Sequence, residues 1–169
     1  MFEALRQRTL IIGNSGAGKS TLAQKLALAT HAPIIDLDLL HWEGDGYGRK
    51  RDEGLARQLV RDEAAKPRWI IEGVFGWLAE VALSRATAML WLDVPWTICR
   101  EGLLERGLRR GATDKDHVDL LAWAEAYWTR ETPSSFAGHA RLFASFPGPK
   151  RRLHDRREVD LLLSETDTI

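Results

Sequence analysis

The chain has 169 residues, 44% of them hydrophobic and 28% charged, with 24 Lys plus Arg balancing 24 Asp plus Glu. That length and balance favour one globular domain, and zero net charge gives no compositional sign of a nucleic-acid or membrane-surface partner. Cys99 is the only cysteine, so no internal disulfide can form, and the five histidines show no ligand-spaced pair. With no signal-peptide h-region and no apolar run near the ~20 residues of a membrane span, a cytoplasmic protein is expected.

In chain order, residues 9–12 ("TLII") are a short β-branched apolar run stopped by Gly13, as a buried parallel strand would be. Residues 20–29 carry Leu22, Leu26 and Ala29 at helical spacing. "APIIDLD" (32–38) reads as a second strand running out to Asp36 and Asp38, and "GDGYGRK" (44–50) as a glycine-rich loop. A helix is expected over 52–65, with Leu55 and Leu59 on one face and Arg57 and Arg61 beside them. Residues 68–73 ("RWIIEG") and 86–95 ("ATAMLWLDVP") supply the third and fourth strands. Helices are expected over 96–110 and 120–129, the latter carrying Trp123, Tyr127 and Trp128. A weak fifth strand lies within 146–155, before a closing helix at 156–163. Strands alternating with helices imply a parallel sheet covered on both faces.

The segment between the first strand and helix, "GNSGAGKS", matches G-x-x-x-x-G-K-[S/T] through Gly13, Gly18, Lys19 and Ser20. Such a loop, comprising Gly13, Asn14, Ser15, Gly16, Ala17, Gly18, Lys19, Ser20 and Thr21, turns backbone N–H groups onto phosphate oxygens at a helix N-terminus. Lys19 would neutralise the β- and γ-phosphates, and the Ser20 hydroxyl would ligate Mg²⁺.

Asp36 and Asp38 end the second strand on the edge where open α/β sheets bind ligands, placed to orient a substrate hydroxyl or take its proton. Either could instead be a cap or turn aspartate. Glu72 and Asp93 end strands three and four on the same edge, so one would support Mg²⁺ through water and the other fix the phosphate loop. Arg100, Arg106, Arg109 and Arg110 supply cations for a transferred phosphoryl group, with Arg106 and Arg110 at helical i,i+4 spacing; a solvated helix face is the alternative. Trp69 and Trp91 sit in apolar strands and read as core. Trp42, beside His41, would wall an acceptor pocket or simply pack. The basic run "KRRLHDRR" (150–157) reads as a solvated edge or a phosphate contact.

With these residues in place, the sequence resembles adenylate-kinase-like P-loop proteins, in particular the DNA topology modulation branch, whose members look like small kinases. The resemblance rests on "IIGNSGAGKSTLA", "IIDLDLLHW", "WIIEG", "MLWLDVP" with the arginine helix after it, and "LHDRREVDLLL". It implies a three-layer, nucleoside-kinase-like α/β fold with a five-stranded parallel sheet of order 2-3-1-4-5. It further implies ATP with Mg²⁺, an acceptor flap over about 38–66 and a lid over about 107–148. Asp36 and Asp38 with Trp42 then match the acceptor side, with His41 beside them, and the arginines from Arg100 to Arg110 match the approach to the lid. Glu72-Gly73 stands where relatives have Asp-Gly, and Ser20, Glu72 and Asp93 remain the metal candidates read from the chain itself. Lys19, Asp38, Arg106 and Arg110 would carry the chemistry.

Two readings follow. One is a small-molecule kinase that moves the ATP γ-phosphate to a nucleotide or other hydroxyl compound. The other is a regulatory ATPase acting on DNA or another macromolecule, for which the chain offers only its terminal basic run. A GTPase would need an Asn-Lys-x-Asp segment, which the sequence lacks.

Overall fold

A computed structural model of the chain describes residues 2–44, 48–109 and 111–167. Its elements are α1 (Phe2–Leu5), β1 (Arg8–Gly13), α2 (Lys19–Thr30), β2 (Ile34–Asp36), α3 (Leu37–His41), α4 (Glu53–Ala64), β3 (Trp69–Gly73) and α5 (Gly76–Leu83), in that order. The second half contributes β4 (Ala88–Leu92), α6 (Trp96–Arg106), α7 (Asp114–Glu125), a 3-10 turn (Ala126–Trp128), α8 (Phe136–Ser145), β5 (Lys150–Leu153) and α9 (Arg156–Asp167). The strands form one parallel sheet in the order β2-β3-β1-β4-β5, as the resemblance implies.

β1 sits at the centre and is buried on both faces, which is why it reads as an unbroken apolar run rather than an alternating one. Leu10 and Ile12 face one layer with the buried residues of α4, α5 and α8, while Ile11 faces the other with those of α2, α6 and α9. Trp69 and Trp91 are core, as expected. All five strands point the same way, so their carboxyl ends share one edge, and that edge carries Gly13, Asp36 and Glu72. Asp36 and Glu72 are directly paired in register.

Several expectations change. β2 stops at Asp36, and Asp38 belongs to the first turn of α3, because the Asp36 carboxylate caps that helix by accepting the Asp38 N–H at 2.8 Å. The buried stripe of α4 is Ala56, Val60 and Ala64, one residue round from the expected face, and Leu55 is exposed. α6 ends at Arg106, where Gly107 takes a positive φ of 67°, so it is shorter than the helix expected over 96–110. α7 starts six residues before the expected helix, at a Thr113–Asp116 capping box. α5 and α8 were not expected at all. Their tight packing runs through Gly76, whose missing side chain lets the Pro133 carbonyl approach.

Candidate functional site: a phosphate-binding cleft

The loop between β1 and α2 takes its shape from glycine. Gly16 has φ 78° and lies against the Cys99 carbonyl of α6, where a Cβ could not fit, and Gly102 opens α6 to the Gly16 carbonyl in return. Gly18 has φ 95° and starts α2. Within the loop, Asn14 Oδ1 accepts the Ser15 N–H at 2.8 Å, and Lys19 Nζ folds back onto the Asn14 carbonyl at 2.8 Å.

Around this loop lies a cleft of about 720 Å³. Residues 15–21 line it, so seven of the nine expected loop residues face it. Gly13 and Asn14 do not; they build the loop from behind. Asn14 is spent on structure, its amide donating to the Ala124 carbonyl at 2.8 Å across 110 residues of sequence. One end of the cleft is polar, with Asp36, Asp38, Glu72, Arg106 and Arg109. The other is walled by Val94, Ile98 and Val159 with Asp155, Arg156 and Asp160. Asp155 and Arg156 belong to the basic run 150–157 read as a solvated edge or a phosphate contact, while Val159 and Asp160, further along α9, are not foreseen from sequence.

Charges at the polar end are closely coupled. Glu72 is 3% exposed and accepts the Ser20 hydroxyl at 2.6 Å, joining the β3 edge to the first turn of α2. Burial, with Asp38 and Glu72 beside it, raises the Asp36 carboxyl to about 6. Burial also lowers Lys19, against the opposing pull of Glu72, Asp38 and Asp36. Arg106 is lowered by burial and by neighbouring Arg109, while the three carboxylates oppose that shift. Arg109 forms an ion pair with Asp38.

The structure does not bring every expected residue to the cleft. Asp93 is held by Arg152, whose Nη2 and Nε lie 2.6 and 2.9 Å from its Oδ2, and it does not line the cleft. β5 lies beside β4 and puts that arginine on the aspartate, so the expected metal role of Asp93 is not supported. His41 and Trp42 also lie off the cleft. His41 is 8% exposed and stacks on Phe75 at 3.9 Å, edge-on to Trp42 and Trp77. Trp42 forms an isolated antiparallel bridge with Lys50. Arg110 lies outside the described residues, as does part of the glycine-rich loop, 45–47.

A metal would find hard oxygen donors at Ser20 and Glu72, a set that suits Mg²⁺ shared with phosphates. Among the described residues there is no group of three or more His, Cys, Asp or Glu arranged to hold a metal without such a partner. None of the described helices is long and apolar enough to cross a membrane.

No family model matches the chain, and no curated protein matches it in sequence. In three dimensions it is similar to a sugar kinase from Janibacter sp., at 17% identity over 96% of this chain and 92% of that one, with a TM-score of 0.58. It is also similar to a gluconokinase from Sinorhizobium meliloti (17% identity, 95% and 93% covered, TM-score 0.57). A shikimate kinase from Bacteroides thetaiotaomicron matches at 19% identity, with 94% of each chain covered and a TM-score of 0.54. The chain therefore has the α/β fold of small P-loop sugar and shikimate kinases.

Proposed function

We propose that the protein is an ATP-dependent small-molecule kinase, using Mg²⁺ and transferring the γ-phosphate to a hydroxyl acceptor. The observation that carries this reading is the joining of a complete phosphate loop, two carboxylates at the β2–α3 junction and two arginines in one cleft.

In the proposed reaction, loop N–H groups and Lys19 hold the β- and γ-phosphates. Ser20, with Glu72 behind it, would hold Mg²⁺, which supplies charge neutralisation across those phosphates. Asp36 and Asp38 orient the acceptor hydroxyl. Its oxygen bonds to the γ-phosphorus as the bond from that phosphorus to the ADP oxygen breaks, and the hydroxyl proton passes to Asp38. Arg106 offsets charge on the phosphoryl group in flight. The lid of this reading is residues 107–123, narrower than the sequence implies, because Ala124 and the residues after it are tied to the sheet.

The fold neighbours act on sugar-like and shikimate-like compounds by their names, which supports a polyhydroxy acceptor over a nucleotide. The resemblance to the topology modulation branch is compatible with this activity. Three basic residues of the run 150–157 have partners within the chain, which favours the small-molecule reading: Lys150 caps the carbonyls of Phe143 and Phe146, Arg151 pairs with Glu165, and Arg152 with Asp93.

Lys19→Ala tests the reading. It removes the side-chain cation at the β- and γ-phosphates, and the backbone cradle cannot replace a full charge. ATP turnover should fall by about 100-fold or more, the scale seen when one preorganised transition-state contact is lost. Unchanged turnover in a folded Lys19→Ala protein would refute the assignment.

A further inference from the structure

The ion pair between Arg109 and Asp38 joins two residues that the proposed kinase needs apart. Asp38 lies in α3 with its backbone fixed at both ends of the residue: its N–H donates to Asp36 and its carbonyl accepts the Trp42 N–H at 3.0 Å. Arg109 sits in the irregular segment between α6 and α7, close to two glycines with positive φ, Gly107 and Gly111. The Arg109 carbonyl in turn accepts the Ala112 N–H at 2.9 Å, so both backbones are held, and it is the longer arginine side chain, carried outside any helix, that has the reach to change partners. Their side chains are 14% and 30% exposed, so the pair is partly shielded from water at the mouth of the cleft.

Arg109 Nη1 occupies Asp38 Oδ2, an oxygen that an acceptor hydroxyl would need. Arg106 stands nearby, and the like charge of Arg109 disfavours its ionised form. The two arginines stand among three carboxylates, Asp36, Asp38 and Glu72, in the cleft lining. Arriving nucleotide phosphates carry more charge than one carboxylate and lie in the same cleft, so they compete with Asp38 for Arg109.

We propose that Arg109 and Asp38 form a nucleotide-released latch: the ion pair blocks the acceptor carboxylate until ATP phosphates draw Arg109 away. Binding is thereby ordered, with nucleotide first, and Arg109 is a positioning residue that couples the two halves of the site. This inference rests on the kinase reading of the cleft.

The test is equilibrium binding of an unhydrolysable ATP analogue with Mg²⁺ to the full chain, with no acceptor present. Four proteins are compared: wild type, Asp38→Asn, Arg109→Gln and the double variant. Asp38→Asn keeps size and polarity but releases Arg109, so it should bind the analogue about fivefold more tightly, the lower end of typical coupling between sites. Arg109→Gln should bind more weakly than wild type, and in that background the Asp38→Asn gain should vanish. The latch is overturned if Asp38→Asn binds no tighter than wild type. A gain that persists undiminished with Arg109→Gln overturns it too, since that would be simple removal of a repelling charge. If wild type does not bind the analogue, the kinase reading fails and the latch fails with it. Binding by wild type sustains that reading whatever the variants do.

Discussion

Two regions of this molecule bury polar groups, and they do so in opposite ways. Behind the sheet edge, Trp91 Nε1 donates to the Tyr127 hydroxyl at 3.2 Å, which lies 2.7 Å from His139 Nδ1, and His139 Nε2 lies 2.9 Å from the Val74 carbonyl. The carbonyl can only accept, so Nε2 carries the proton, Nδ1 accepts, and Tyr127 donates. Every group in that chain has its partner. At the cleft, Asp36, Asp38 and Glu72 crowd one another around Lys19, and the cost appears in the raised Asp36 carboxyl. The first region satisfies every polar group it buries, whereas the second buries carboxylates beside one another, at a cost in stability.

His139→Ala should give the largest effect on this contrast. It orphans the Tyr127 hydroxyl and the Val74 carbonyl and leaves a hole where a residue of 0% exposure stood. A loss of about 3–4 kcal/mol in chemical denaturation is expected from the cavity and the unmade bonds together. A loss below about 1 kcal/mol would mean that the polar chain anchors nothing.

At the cleft the sign reverses. An acid whose folded pKa is raised costs stability above that pKa, and the cost is gone below the unfolded value. Asp36 rises from 3.8 to about 6. Asp36→Asn keeps a capping oxygen for α3 and removes the charge, so it should stabilise the protein at pH 8 by about 2–3 kcal/mol. That gain should shrink as pH falls through about 6 and be absent near pH 4. A variant less stable than wild type at pH 8 would break the comparison.

Asp93→Asn should do least. Its arginine partner, Arg152, has a 38% exposed side chain, so losing the pair costs about 0.5–1 kcal/mol. Affinity for the Mg²⁺-bound nucleotide analogue should not change. A large drop in that affinity would return Asp93 to the metal site.

What could be read from sequence follows the distance over which each feature is encoded. The phosphate loop lies within nine consecutive residues, and its glycines announce its shape. Glu72 can be set on the cleft's edge from sequence because parallel strands share an edge, and its carboxylate accepts the Ser20 hydroxyl at 2.6 Å. The same logic placed Asp93 there too, but it could not see that an arginine 59 residues later takes the carboxylate. The Arg109–Asp38 pair was hidden for the same reason. α8 did carry a local signal: Ser135 caps it by accepting the Gly138 N–H, just after Pro133 and ahead of an apolar run. α5 had none, since "GWLAEVAL" is apolar almost all round and shows no periodic face.

In the proposed reaction this cleft passes phosphate to a small molecule. Its most direct test follows labelled γ-phosphate from ATP in the presence of sugars, polyols, sugar acids, nucleosides and nucleoside monophosphates, with Lys19→Ala as the blank. A kinase should put label in one acceptor class, above the amount released to water, and none with Lys19→Ala. Label found only as inorganic phosphate across all the acceptors, with wild-type turnover intact, would contradict it and make the protein an ATPase.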